Sequence, residues 1–142
     1  MTDISRFDIL YIEVRYIVTQ YIVLQDSVGG AMNEYIKKIY VPMTESAFFI
    51  LLCLQKENHG YGIVKRVEEL TDGEVILAPG TMYGSLSKME KDGIIRFVRN
   101  EDKRKIYIIT DLGLKVLKTE LKRIERLYHI SREVPENDEE GV

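Results

Sequence analysis

The sequence predicts a mainly α-helical fold with one small β-hairpin (α+β), a winged helix-turn-helix followed by a long C-terminal helix. Three observations predict it. Between residues 40 and 93, three helical patterns are separated by short Gly- or Pro-bearing turns. Two β-rich runs, "IIRFVR" and "KIYIIT", flank a four-residue polar link. The chain then carries a long helical run whose apolar residues step by three and four.

The elements follow in order. Met32, Tyr35, Ile36, Ile39 and Tyr40 share one helical face until Pro42 stops the run. Thr44 offers an N-cap to "ESAFFILLCLQKE", whose centre is apolar all round, as in a helix buried on several sides. Cys53 inside it reads as a packing residue and not a redox sensor. "ENHGYG" is a turn. "YGIVKRVEELTDG" is a second helix with Ile63, Val64, Val67 and Leu70 inward and Gly73 terminating it. His59 has no second ligand at metal spacing and suits a turn or cap. "EVILAP" is expected as a short strand. "PGTMYGSLSKMEKDG" is a third helix, opened by Pro79 and closed by Gly93. The two β-rich runs, joined by "NEDK", form the hairpin. Thr110 can cap the last helix, where Leu114, Leu117, Leu121, Ile124 and Tyr128 form an a/d stripe. That stripe could pack on the protein's own core, but a long terminal helix beside a small core favours a dimer seam.

The domain division expected is an N-terminal extension over 1–31, a winged helix-turn-helix over 32–109, a dimerisation helix over 110–134 and an acidic disordered tail over 135–142. "YIEVRYIVTQYIVLQ" (11–25) repeats every five residues, a step that matches neither a helix nor a strand face. "GGA" immediately precedes Met32, and its glycine codons can spell a ribosome-binding sequence. Residues 1–31 are therefore expected not to belong to the native protein, with translation starting at Met32. The competing reading is an N-terminal arm packed on the dimer.

Composition bounds the function. The 142 residues are 45% hydrophobic and 30% charged, with a net charge of −3 and one cysteine. No apolar run reaches a membrane span, and a lone cysteine suits a reducing cytoplasm. Neither a signal peptide nor membrane association is expected. Residues 79 to 126 hold twelve Lys or Arg against seven Asp or Glu, a local excess of +5, while residues 133–142 hold five acids and no base. Such a basic block can attract a polyanion despite the acidic whole.

The third helix gives that polyanion a shape. Met82, Leu86 and Met89 form its inner stripe, and Thr81, Gly84, Ser85 and Lys88 form a small, hydroxylated, basic outer one. Small side chains admit a helix to the DNA major groove, and hydroxyls and lysine can contact phosphates or base edges. Tyr83 flanks this stripe, and Lys103, Arg104 and Lys105 stand at the expected hairpin base, beside it. Double-stranded DNA is the expected partner. A catalytic site would need a nucleophile with its base, a carboxylate pair, a metal cluster or a phosphate loop. None is visible, so no enzyme, metal or cofactor is expected. The rival reading is a winged helix that binds another protein, although apolar anchors are missing from the outer stripe.

From Tyr40 to about Tyr128 the chain resembles the PadR family of transcriptional regulators, on "PMTESAFFILLCL", "HGYGIVKRVEEL", "LAPGTMYGSLSKMEKDGII" and "KRKIYIITDLGLKVL". The resemblance implies a homodimeric repressor, dimerised through its last helix, that releases an AT-rich inverted repeat on meeting a small molecule. It puts Tyr61, Thr81, Tyr83 and Lys88 in the family's DNA-contacting places, with Lys103 and Arg104 in the wing. A single terminal helix is similar to the family's short subgroup. Because such repressors often control their own genes, the five-residue repeat would be an operator read as protein. Tyr35, Tyr40, Phe48, Phe49, Tyr107 and Tyr128 would either line a cleft for a small aromatic effector or simply be core.

Overall fold

The computed structural model describes residues 34–135 together with Ile9, Ile12, Glu13 and Tyr16. The expectations for Met32, for residues 136–142 and for most of the repeat lie outside the described residues; Ile9, Ile12, Glu13 and Tyr16 are helical and exposed, so the repeat begins in helix despite its five-residue step.

Among the described residues from Glu34 onward, five helices and a two-stranded antiparallel sheet follow in the order α1 (Glu34–Tyr40), α2 (Glu45–Cys53), α3 (Gly60–Leu70), α4 (Pro79–Lys91), β1 (Ile95–Glu101), β2 (Arg104–Ile109) and α5 (Asp111–Ser131). This is the winged-helix architecture. Helix α2 runs through the centre. Thr44 caps it by accepting the Ala47 N–H, and Phe49 to Leu52 and Leu54 are buried around it. Against it pack Ile63 and Val67 of α3, Met82, Leu86 and Met89 of α4, Ile94 and Ile95 of the wing, and Val116 and Leu117 of α5. Gly73, at φ +80°, ends α3 by donating its N–H to the Glu68 carbonyl at 2.8 Å.

Two expected features form differently. "EVILAP" does not pair as a strand. The free edge of β2 is taken by Asn58, which exchanges both backbone hydrogen bonds with Tyr107 (2.8 and 3.1 Å), and by the Leu54 carbonyl, which accepts from Ile109. With that edge occupied, the segment stays extended and inserts only Leu77 fully into the core. The hairpin link is also shorter than "NEDK". Asn100 and Glu101 belong to β1, and the turn is Asp102-Lys103, both at positive φ (48° and 63°), the tight geometry that matches strand twist. Lys103, Arg104 and Lys105 therefore stand at the wing tip and not at its base.

Thr110 joins the wing to α5. Its hydroxyl accepts the Gly113 N–H at 3.1 Å and donates to the Gly93 carbonyl at 2.7 Å, tying the end of α4 to the start of α5. Gly113 lets the helix approach closely, since a Cβ there would lie 2.0 Å from the Ile94 carbonyl oxygen.

Candidate nucleic-acid interface

The surface opposite the core is assembled by "NHGYG". His59 is the N-cap of α3, its Nδ1 accepting the Gly62 N–H at 3.0 Å. Asn58 Oδ1 accepts the His59 N–H at 2.8 Å while the Asn58 backbone holds β2. Gly60 and Gly62, expected as turn glycines, lie instead in the first turn of α3. A Cβ on Gly60 would come within 2.7 Å of Met82 and 2.9 Å of Tyr83, and one on Gly62 within 2.1 Å of Asn58. The missing side chain at Gly60 lets α3 butt against α4, which brings Tyr61 and Tyr83 to one face, and the one at Gly62 leaves room for the Asn58 amide.

Helix α4 starts at Pro79 with no side-chain cap from Ala78, so its positive end is open to an anion. Met82, Leu86 and Met89 are buried as the spacing requires. Thr81, Tyr83, Gly84 and Lys88 are exposed and Ser85 is half-buried, with nothing standing over Gly80 or Gly84. Lys88 is less free than its position suggests. Its ammonium pairs with Asp92 at 2.8 Å and lies 5.1 Å from the centre of the Tyr40 ring, whose hydroxyl donates to the same carboxylate at 2.6 Å. Lys88, then Tyr40, hold the Asp92 carboxyl below the usual carboxylate range.

The wing supplies the third side. Arg104 sits 5.3 Å from the centre of the Tyr61 ring, which stacks on His59 at 6.5 Å. Tyr61, Tyr83, Lys103, Arg104 and Lys105, with His59, Gly60 and Tyr107, line one concavity of about 190 Å³. Among the described residues, Lys103, Arg104 and Lys105 have no carboxylate partner. One acid near the wing tip is spent inside the wing, because Arg99 binds Glu101 (2.9 Å), and the same guanidinium holds Glu57 of the segment before α3 (2.7 Å). Three separate stretches of sequence thus deliver three cations and two exposed tyrosines to one surface. His59 is the member that sequence reasoning left as a cap only, and the only signal for it was its place two residues before Tyr61.

The other expected sites fall out differently. Leu114 and Leu117 are buried in the protein's own core, so the stripe's first two positions pack within the chain and cannot form an outer seam. Leu121, Ile124 and Tyr128 are half-buried, and Leu127 and Ile130, which the stripe left out, are exposed. Glu120 is buried and held by Arg123 through both carboxylate oxygens. The aromatic set does not line one cleft: Tyr40, Phe49 and Tyr107 are core, while Tyr35 is exposed. Burial pushes the Cys53 thiol up to about 11, so at neutral pH it is not a thiolate. Among the described residues no group of three His, Cys, Asp or Glu is placed to hold a metal, and no helix is long and apolar enough to cross a membrane.

Comparison with known proteins bears on this surface. Residues 50–119 match the family described as "Transcriptional regulator PadR-like family". The transcriptional regulator YqjI of Escherichia coli is 27% identical over 71 residues, which are 50% of this chain and 34% of YqjI. The chain thus spans about a third of the length of that curated relative. A PadR family transcription regulator from Clostridium difficile superposes with a TM-score of 0.57 at 26% identity, over 63% of this chain and 97% of that one. A PadR-like regulator from Bacillus cereus shares the fold with a TM-score of 0.54 at 22% identity, over 66% and 92%.

Proposed function

Since residues 50–119 of this chain belong to the PadR-like family of transcriptional regulators, we propose that the protein is a cytoplasmic repressor that binds double-stranded DNA as a homodimer, one subunit per half of an inverted repeat. The observation that carries the DNA reading is the convergence of Tyr61, Tyr83, Lys103, Arg104 and Lys105 on one concavity beside the uncapped start of α4. Helix α4 enters the major groove with Thr81, Gly84 and Ser85 towards the bases, where small side chains allow close approach. The tyrosine hydroxyls and wing cations take the flanking phosphates, which fix register without reading sequence. Lys88 reaches DNA only by giving up Asp92. Dimerisation is assigned to the outer half of α5, from Leu121 through Tyr128 to Ile130, with Leu114 and Leu117 holding the helix to its own domain. Release by a small aromatic effector rests on the family resemblance.

Fluorescence anisotropy with the duplex upstream of the gene and a scrambled duplex, across a salt series, tests this reading. The upstream duplex should bind more tightly, and log K should fall linearly with log salt, as counterion release requires. A folded protein that binds neither duplex at low salt would instead support the protein-interaction reading.

A further inference from the structure

The concavity contains two hydrogen-bond donors that face each other. The Gly62 amide can only donate, and it donates to His59 Nδ1 at 3.0 Å. Nδ1 is therefore the bare nitrogen, and the neutral ring carries its proton on Nε2. The atom nearest Nε2 on the wing is Nη1 of Arg104, at 3.4 Å. A guanidinium is also donor-only. An imidazole that already accepts at Nδ1 cannot accept at Nε2 as well without becoming an anion, so this contact is not a hydrogen bond. Two N–H groups converge here with no shared acceptor between them.

The surroundings specify the acceptor. Arg104 is a full cation without a carboxylate partner among the described residues, and the Tyr61 ring holds its guanidinium in place. Lys103 and Lys105 flank it on the wing, and Tyr83 closes the opposite wall from α4. An oxygen bearing negative charge, seated against both donors, satisfies Nε2–H and the guanidinium together, and bonds from charged groups to such an oxygen are short and strong.

We propose that His59 and Arg104 form a two-donor clamp on one phosphodiester oxygen of the DNA backbone, making His59 a DNA-contacting residue whose tautomer is fixed by its own helix cap. The inference rests on the DNA reading above and deepens it: it names one phosphate contact, the atoms that make it and the reason the ring presents a proton. One imidazole thereby serves two functions, Nδ1 for the fold and Nε2 for the ligand. The wing and the helix-turn-helix are joined across the clamp, so the wing is held where it meets the strand flanking the recognition helix.

His59→Asn separates the two roles, because asparagine caps a helix as well as any residue but its side chain is too short to reach the phosphate. The variant should melt as the wild type does and bind both the upstream and a scrambled duplex about tenfold more weakly, the loss expected for one hydrogen bond to a charged group. The slope of log K against log salt should not change, since a neutral ring displaces no counterion. Arg104→Gln should instead lower that slope by about one for each half-site. Wild-type affinity in His59→Asn, or a reduced slope, overturns the clamp while leaving DNA binding intact. If the wild type binds no duplex, clamp and DNA reading fail together. Long-range ¹H–¹⁵N spectra of the wild-type ring cover the case in which the variant is destabilised. They should show Nε2 protonated, with its resonance moving on addition of duplex. A proton on Nδ1 in the free protein, or a shift with inorganic phosphate but none with duplex, overturns it too.

Discussion

Lys88 illustrates how neighbours reassign a side chain. By helical spacing it belongs on the outer face of α4, and it is there, but its charge is committed to Asp92 one turn on and to the Tyr40 ring. Asp92→Asn should therefore do two opposite things. It should destabilise the fold by about 1 kcal/mol at pH 7, the usual worth of a hydrogen bond. It should also tighten DNA binding, by freeing Lys88 and removing a negative charge beside the duplex. Because the folded state holds the Asp92 carboxyl low, its stabilisation is full above the unfolded value of about 3.9 and is lost as pH falls through the folded one. Melts of variant and wild type should accordingly converge in acid, and a gap that persists there would remove Asp92 ionisation from the account. The Met82, Leu86, Met89 stripe was legible in sequence because it follows helical spacing. The Tyr40–Asp92 bond was not, since nothing local relates residues 52 positions apart.

Among the elements, the wing and the last helix carry the sharpest tests. The wing turns on Asp102-Lys103, two non-glycine residues at positive φ, where a side chain costs energy that glycine avoids. Replacing the pair by Asn-Gly should raise stability by about 1 kcal/mol in a denaturant melt. No gain would argue against this turn geometry. At the start of α5, Gly113→Ala would drive a methyl into the Ile94 carbonyl, a backbone atom that cannot rotate away. Overpacking of this kind costs about 1–3 kcal/mol, and a rigid neighbour places it at the upper end. A melting temperature equal to the wild type would contradict the close approach. The hairpin and helices α1 to α5 were readable from periodicity, caps and turn residues, whereas the helical Ile12, Glu13 and Tyr16 were not, since a five-residue step marks no helix face. The missing third strand was not, because the competitor for that edge, Asn58, lies in what sequence alone describes as a turn. Likewise the α5 stripe has one period along its length, and only three-dimensional packing shows where it leaves the core, between Leu121 and Ile124.

For the whole molecule, recognition of an inverted repeat needs two linked subunits. Replacing Leu121 and Ile124 together by Asp should give a folded monomer with much weaker operator binding, because both lie on the half-buried part of α5 and Leu117 still anchors the helix. Light scattering that still reports a dimer would move the interface elsewhere. The central claim is that the start of α3, the outer face of α4 and the wing tip form a single DNA-binding surface. The most direct measurement is a titration of ¹⁵N-labelled protein with the upstream duplex, following every backbone amide. Shifts concentrated at residues 59–62, 79–88 and 102–105 are expected, with the amides of α2 unmoved. Shifts confined to the outer end of α5, or spread over the chain without those three segments, would contradict it.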